Sequence, residues 1–202
     1  MTALTVPSPV LADALPLSAR TRPGAVAREI GLVVAGTVLL TLVSQVAIPL
    51  PFTPVPLTLG TFGALLVGAA LGPRRGLASL GLYAGASALG APILAGWTAS
   101  GVATASFGYV IGYVLAGVAL GAAARRGADR RVWSTGLSAA VSTMLVYVAG
   151  VPWLMVATGM ALPQALLAGV VPFLVGDVIK ALAVAALLPS AWRAVGALRG
   201  EK

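Results

Sequence analysis

The chain has 202 residues, of which 59% are hydrophobic and 9% charged, and its mean hydropathy is +1.01. Soluble domains carry about 25% charged residues, so this composition excludes a soluble protein and predicts a single-domain integral membrane protein. Cysteine and histidine are absent, which removes disulfides, thiol chemistry and the commonest metal ligands. We therefore assign no catalytic and no metal-binding residue.

The N-terminal residues 1–27 contain proline, alanine and serine but no sustained apolar run. We expect a mobile cytosolic tail there, followed by a membrane domain over residues 28–190 and a second cytosolic tail over residues 191–202. A signal peptide is not expected, because a basic n-region is missing and the first apolar run, residues 30–50, is too long for an h-region.

Six apolar stretches come close to the roughly 20 residues that cross a bilayer. They fall at residues 30–48, 57–72, 77–94, 106–124, 132–151 and 170–189. Twelve of the thirteen lysines and arginines lie in the two terminal segments, between the second and third stretches, or between the fourth and fifth. The positive-inside rule makes that side cytoplasmic. The sequence predicts an all-α membrane protein with six transmembrane helices and both termini in the cytoplasm.

The three remaining connections carry no basic residue. Residues 48–57 contain four prolines, which makes this segment stiff, extended and non-helical. Residues 159–169 are typical of a short amphipathic helix that begins at Pro163. We interpret these connections as a lid over an outward-facing pocket; the alternative is that they rest among the lipid headgroups.

Small residues recur at every fourth position on two predicted helices, a spacing that lets helix backbones approach closely. The first stripe consists of Ala27, Gly31 and Ala35, and the second consists of Gly60, Ala64, Gly68 and Gly72. We predict that the first stripe is an interface for a partner protein, because it lies on the first helix. For the second stripe we expect packing inside the molecule.

Two opposite charges, Asp177 and Lys180, interrupt the apolar run of residues 170–188. A charged side chain at membrane depth costs at least about 2.5–3.5 kcal/mol and usually has a function. Residues three apart share one face of a helix, so the pair presents an anion and a cation together. It is a candidate binding site for a small ligand that has hydrogen-bond donors and a carboxylate. The alternative is a salt bridge that only holds helices together.

The sequence has no phosphate-binding loop for ATP and no internal repeat of the kind that secondary transporters show. An energy source would therefore have to be supplied by another protein. A membrane enzyme needs a set of nucleophile, base or metal ligands, and Asp177 and Lys180 alone make a weak one.

Four segments carry a resemblance to a known family. They are residues 54–62 (PVPLTLGTF), 71–76 (LGPRRG), 108–113 (GYVIGY) and 172–180 (PFLVGDVIK). In this order and spacing they resemble the BioY family, the biotin-specific substrate-binding (S) components of energy-coupling-factor (ECF) transporters. The resemblance covers about residues 30–190. It departs from many members at Gly60, where they have glutamine.

The resemblance implies a six-helix S component of a prokaryotic cell membrane that captures biotin from outside. A separate module, with one transmembrane coupling subunit and two ATPases, would energise uptake. Biotin would be the transported substrate, so no cofactor is expected. The net charge of +8 is assigned to the cytoplasmic side of the membrane and not to nucleic acid.

Biotin suits the charged pair, because its ureido ring offers two N–H donors and its tail ends in a carboxylate. Asp177 would accept from the ureido N–H groups, and Lys180 would donate to polar groups or compensate charge. Candidates for an aromatic wall around biotin are Tyr83, Trp97, Tyr109, Tyr147 and Trp153. For each aromatic residue the alternative is a place in the membrane-interface belt.

Two further functions stay open on the sequence alone. The chain could be a solitary vitamin or solute carrier that works without a separate module. It could also be a small membrane enzyme that uses Asp177 and Lys180 as acid and base.

Overall fold

The computed structural model describes residues 8–15, 21–99 and 101–200. The helices are α1 (Leu11–Ala14), α2 (Arg22–Ser44), α3 (Gly60–Ala88), α4 (Phe107–Ala124), α5 (Val132–Thr158), α6 (Leu162–Gly169) and α7 (Leu174–Leu198). Two short strands, β1 (Ala47–Ile48) and β2 (Leu57–Thr58), pair with each other. The described part of the chain is almost entirely helical, as predicted.

Four stretches of the described chain are long and apolar enough to cross a bilayer. They are Arg22–Ser44, Phe107–Ala124, Val132–Thr158 and Leu162–Leu198. The second and third predicted stretches both fall within α3. Helices therefore occupy all six predicted positions.

Helix α3 is a hairpin and not one straight helix. Gly72, at φ +81°, breaks it, in a conformation that glycine adopts without steric cost. Pro73 follows, where a helix start does not need its missing N–H. A Cβ built on Gly76 would lie 3.2 Å from the Cα of Gly68, although eight residues of a straight helix span about 12 Å. The chain thus reverses, and the two halves of α3 run antiparallel.

The second small-residue stripe packs inside the molecule, as predicted. Its members Gly60, Ala64, Gly68 and Gly72 are all buried. Helix α3 packs mainly against α4, which packs in turn against α5. Helix α2 packs against α3, and α7 packs against α5 and α3. At the contact with α4, a Cβ on Gly68 would overlap the backbone of Gly117. The glycine therefore sets how closely these two helices approach.

Gly68→Ala should lower the thermal unfolding temperature of the detergent-purified protein. The added methyl meets backbone atoms of α4 that cannot rotate away, and overpacking of this kind costs about 1–3 kcal/mol. Gly85→Ala is the matched control, since a Cβ on Gly85 meets no described atom within 4 Å. Equal unfolding temperatures for the two variants would contradict the close α3–α4 contact.

The first small-residue stripe faces outward. Ala27, Gly31 and Ala35 are all exposed on α2, and a Cβ on Gly31 would meet no described atom within 4 Å. Helix α2 itself begins at a capped N-terminus, where the Thr21 hydroxyl accepts a hydrogen bond from the Gly24 N–H at 3.3 Å. The stripe is thus available to a partner and is not used for packing within the described chain.

Part of the predicted N-terminal tail packs against the helices. Residues 8–15 pack against what we call the arginine end of the bundle, where the bend of α3 and the α4–α5 connection lie. The Asp13 carboxylate accepts hydrogen bonds from Arg75 and Arg125, each at 2.7 Å, and the Val10 side chain is fully buried. Ion pairs between residues so far apart in the chain leave no periodic pattern, so apolar runs did not reveal them. Residues 1–7 and 16–20 of the predicted tail lie outside the described residues.

The Asp13 carboxyl carries its charge in this network. Burial by itself raises its pKa, but hydrogen bonds from Arg75 and from the Val10 N–H, together with the charge of Arg125, bring the pKa below its usual value. A carboxylate held in this way favours the docked segment at neutral pH.

The predicted boundaries at residues 27 and 190 also shift, because α2 begins at Arg22 and α7 continues to Leu198. Beyond residue 190, side-chain contacts hold α7 to the α4–α5 connection. The Trp192 indole N–H donates to the Asp129 carboxylate at 2.6 Å, and the Arg130 guanidinium lies 3.3 Å from the centre of the Trp192 ring. Burial raises the pKa of Asp129 despite that hydrogen bond. Residues 201–202 lie outside the described residues.

Candidate functional site

The proline-rich connection forms a closed loop beside the end of α2. Strands β1 and β2 pair antiparallel, with Ala47 opposite Thr58 and Ile48 opposite Leu57. Residues 49–56 run between them without helix, because four prolines in the segment restrict φ and remove hydrogen-bond donors. The strand pairing therefore fixes the two ends of this loop relative to each other.

A cavity of about 400 Å³ lies between the helices at this end of the bundle, which we call the loop end. Its volume falls in the range of roughly 300–1,000 Å³ that small-molecule sites occupy. Residues Pro54, Val55 and Pro56 of the proline-rich loop line it, as do Asp177 and Lys180 from α7. The cavity thus combines apolar walls with two charged groups.

Asp177 and Lys180 meet at the wall of this cavity. The Lys180 ammonium lies 3.0 Å from one oxygen of the Asp177 carboxylate, and each residue is only 7% exposed. The Tyr147 hydroxyl donates to the other carboxylate oxygen. Helical spacing places the pair on one face, and α5 supplies the tyrosine from across the helix contact.

The charged pair keeps hydrogen-bonding capacity for a ligand. An ammonium has three donors and an ionised carboxylate about four acceptor positions. Among the described residues, Lys180 donates only to Asp177, and Asp177 accepts only from Lys180 and Tyr147. Two donors and about two acceptor positions remain beside the cavity. This capacity favours a binding site over a salt bridge with a purely structural role.

Aromatic side chains form much of the remaining wall. The Tyr109 ring packs edge-on against Tyr147, with ring centres 6.4 Å apart, and tilted against Phe173 at the same separation. The Tyr109 hydroxyl donates to the Gly169 carbonyl at the end of α6, at 2.7 Å. This bond satisfies the polar atom, so the ring presents an apolar face to the cavity.

The profile of the BioY family matches residues 14–197 of the chain. A probable biotin transporter BioY of Pyrococcus horikoshii is 32% identical over 158 residues, which cover 77% of this chain and 90% of that protein. The chain belongs to the BioY family. A biotin transporter BioY of Rhizobium etli is also 32% identical, over 70% of this chain and 79% of that protein.

A solved structure has the same fold as this BioY-family chain. It is the crystal structure of the S-component for biotin from an ECF-type ABC transporter, and it superposes with a TM-score of 0.74. The alignment covers 87% of this chain and 95% of that one, at 23% sequence identity. Since the family consists of transporters, the enzyme interpretation of Asp177 and Lys180 is set aside.

The BioY-family cavity brings together five of the seven residues predicted to contact the substrate. Lining the cavity are Asp177, Lys180, Tyr83, Tyr109 and Tyr147. Trp97 lies outside the lining, with 56% of the residue exposed, although its neighbour Thr98 lines the cavity. Trp153 packs against Phe107 and donates to the Thr104 carbonyl at 3.0 Å, also outside the lining.

Several residues that line the cavity were not predicted from the sequence. Tyr113 is the one tyrosine that was not predicted, and all four tyrosines of the chain line the cavity. Its hydroxyl lies 3.3 Å from that of Thr58, and its ring fills the space beside Gly60, where a Cβ would come within 2.5 Å of the Tyr113 hydroxyl. Tyr113 lies four residues after Tyr109 on the same helix face, and this spacing was a signal from which it could have been predicted as a cavity residue.

The three uncharged connections take different places around the cavity. Residues from the connections at 49–56 and 89–106 line it. The third connection forms α6, with Pro163 in its first turn, and supports Tyr109 through Gly169 from behind. Two of the three connections therefore wall the cavity directly.

Proposed function

We propose that this chain is the biotin-binding S component of an ECF transporter and that it mediates biotin uptake. The observation that carries the proposal is the buried Asp177–Lys180 pair, which opens on a cavity of about 400 Å³ in a chain of the BioY family. Membership of that family and the biotin transporters among its relatives support biotin as the substrate.

The cavity chemistry matches each part of biotin. The ureido ring offers two N–H donors and one carbonyl, for which Asp177 has free acceptor positions and Lys180 free donors. The thiophane ring and the aliphatic chain are apolar and suit the tyrosine walls. In the opposite orientation of biotin, Lys180 compensates the tail carboxylate, which is the only charged group of biotin.

We infer that a separate ECF module, with a transmembrane coupling subunit and two ATPases, supplies the energy. Support comes from the sequence, which has no phosphate-binding loop of its own, and from the exposed stripe Ala27, Gly31 and Ala35 on α2. Small residues in a lipid-facing helix permit close backbone contact with another helix. We assign this stripe to the coupling subunit.

The purified protein should bind biotin tightly, with one molecule per chain. Isothermal titration calorimetry measures the stoichiometry, and native mass spectrometry identifies any small molecule that co-purifies. Dethiobiotin, which keeps the ureido ring and the tail but lacks the sulfur, separates recognition of the ring from recognition of the thiophane. No heat and no retained biotin would overturn the proposed substrate.

The dependence on the module has its own test. Biotin uptake should occur in cells that also produce the coupling subunit and ATPases, and it should disappear with an ATPase inactivated at its phosphate-binding lysine. Uptake at an undiminished rate without the module would favour a solitary carrier instead.

We also propose that the chain lies in a prokaryotic cell membrane with its arginine end in the cytoplasm. Support comes from the charge distribution, since those lysines and arginines outside the cavity that the structure describes lie at one end. The described N-terminal residues dock there too, through Asp13.

Cysteines introduced at Ala99 and Ala161 should react with an impermeant thiol reagent added to intact cells, and one at Ala128 should react only after lysis. The first two positions lie at the loop end and are exposed, while Ala128 lies in the α4–α5 connection. The unaltered chain has no cysteine, so it is the blank for this labelling. Reaction of Ala128→Cys from outside would reverse the proposed orientation.

A further inference from the structure

Gln45 joins the end of α2 to the loop formed by residues 91–99. Its side-chain amide N–H groups donate to the Thr41 carbonyl at 2.8 Å and to the Ile93 carbonyl at 3.3 Å. Its amide oxygen accepts from the backbone N–H of Trp97 at 3.1 Å. Both donors and the acceptor of the amide are therefore in use, and two of the three bonds go to the loop.

The 91–99 loop is a wall of the proposed biotin cavity. Leu94, Ala95 and Thr98 line the cavity, and a backbone bridge between Leu94 and Thr98 closes the tip of the loop. The residues that Gln45 holds, Ile93 and Trp97, directly flank these lining residues. Movement of the Gln45 contacts would therefore move the cavity wall.

Trp97 shows that the loop is held under constraint. It has φ +55° and is the only non-glycine residue with positive φ in the described chain. Such a conformation persists only where the surroundings hold it. Trp97 as a residue is 56% exposed, so packing of its side chain does not supply the restraint. Its backbone N–H, bonded to Gln45, does.

Few other bonds secure the loop. Among the described residues, its remaining hydrogen bonds run within the loop or to α3, from which the chain enters it. Tyr83 of α3, for example, donates to the Ile93 carbonyl at 3.4 Å. In the part of the chain that the structure describes, the two hydrogen bonds that join the loop to an element other than α3 both involve Gln45.

We propose that Gln45 is a positioning residue that keeps the 91–99 loop closed against the cavity and thereby sets the rate at which bound biotin leaves. The proposal rests on biotin as the ligand. Gln45 is absent from the cavity lining and acts through the loop. Opening the loop would remove one wall without disturbing Asp177 or Lys180 on α7.

Gln45→Ala should release preloaded radiolabelled biotin at least tenfold faster than the unaltered protein in a chase with excess unlabelled biotin. The association rate constant should stay the same or rise, because the variant opens the cavity. Gln164→Ala is the matched control: Gln164 is the other glutamine of the chain, and its side chain bonds the N–H of Ala161 at the start of α6. It should release biotin at the unaltered rate.

A folded Gln45→Ala protein that releases biotin at the unaltered rate would overturn the inference and leave biotin binding intact. If the unaltered protein retains no biotin, the proposed substrate falls and the inference falls with it. The two failures are therefore distinguishable in one experiment.

A second measurement needs no variant. In the unaltered protein, saturating biotin should slow amide hydrogen exchange in the peptide that covers residues 91–99 at least tenfold, because exchange requires the loop to open. The α6 peptide, residues 162–169, is the internal reference and should change much less. Equal exchange of the 91–99 peptide with and without biotin would overturn the inference.

Discussion

Asp177→Asn should weaken biotin binding by about 1.5–3 kcal/mol, the contribution of a hydrogen bond to a charged group, which is roughly 10- to 150-fold in Kd. The amide keeps the shape of the side chain and can still accept from Tyr147. It loses the negative charge that Lys180 and the ligand N–H groups face. Titration calorimetry on the monodisperse protein measures the change.

Asp129→Asn is the control for this variant. Asp129 is the other buried aspartate, 1% exposed, but it contacts Trp192, fifteen residues or about 22 Å along α7 from Asp177. The Asp129→Asn variant should bind biotin with the same affinity as the unaltered protein. Unchanged affinity in a folded Asp177→Asn protein would remove Asp177 from the binding site.

Removal of Lys180 is a less direct test of the same site. Lys180→Ala leaves the Asp177 carboxylate buried without its ion-pair partner, which is strongly destabilising in itself. Loss of binding would then combine misfolding with loss of a ligand contact. For that reason the Asp177→Asn variant decides the role of the pair.

Gly31→Leu should abolish most ATP-driven biotin uptake and leave biotin binding unchanged. The leucine side chain would project from the exposed stripe on α2 and separate this helix from the coupling subunit that we propose docks there. Nothing described lies within 4 Å of a Cβ at this position, so the isolated chain should fold normally. Transport of radiolabelled biotin into cells measures uptake, and calorimetry on the purified variant measures binding.

The matched control is Gly85→Leu, which adds the same side chain at another exposed helical glycine with no described atom near its Cβ. It should transport biotin normally. Normal uptake by Gly31→Leu would place the docking face elsewhere on the chain. Loss of binding together with uptake would mean that α2 packs internally at Gly31.

Apolar length and charge patterning predicted the helices. Six stretches near the length of a bilayer crossing, with arginines in alternate connections, were enough to place every long helix, including both halves of α3 on either side of Arg74 and Arg75. These features are local, because burial in lipid acts on each segment separately and because the backbone must satisfy its own hydrogen bonds there.

The charged pair and most of the tyrosines were also predictable as candidates. Charged side chains inside an apolar run cost free energy, and they are expected there only where they form a functional site or have a partner within the protein. Asp177 and Lys180 were therefore recognisable in the sequence. That Tyr147 donates to Asp177, and that Tyr113 fills the space beside Gly60, required the packing of α5 against α7 and of α3 against α4.

Local sequence patterns predicted the helices and the charged pair. Long-range contacts, in contrast, form the cavity wall and dock the N-terminal residues. The docked residues 8–15 depend on Asp13, which meets Arg75 and Arg125 from elements 62 and 112 residues away. The position of the 91–99 loop, which is one wall of the cavity, depends on the hydrogen bond to Gln45, 52 residues from Trp97. No periodicity links such residues, because each contact is made by a single polar side chain and exists only after the helices have packed. Trp97 illustrates the same limit: its residue type predicted an aromatic wall, whereas the fold exposes its ring and uses its backbone N–H.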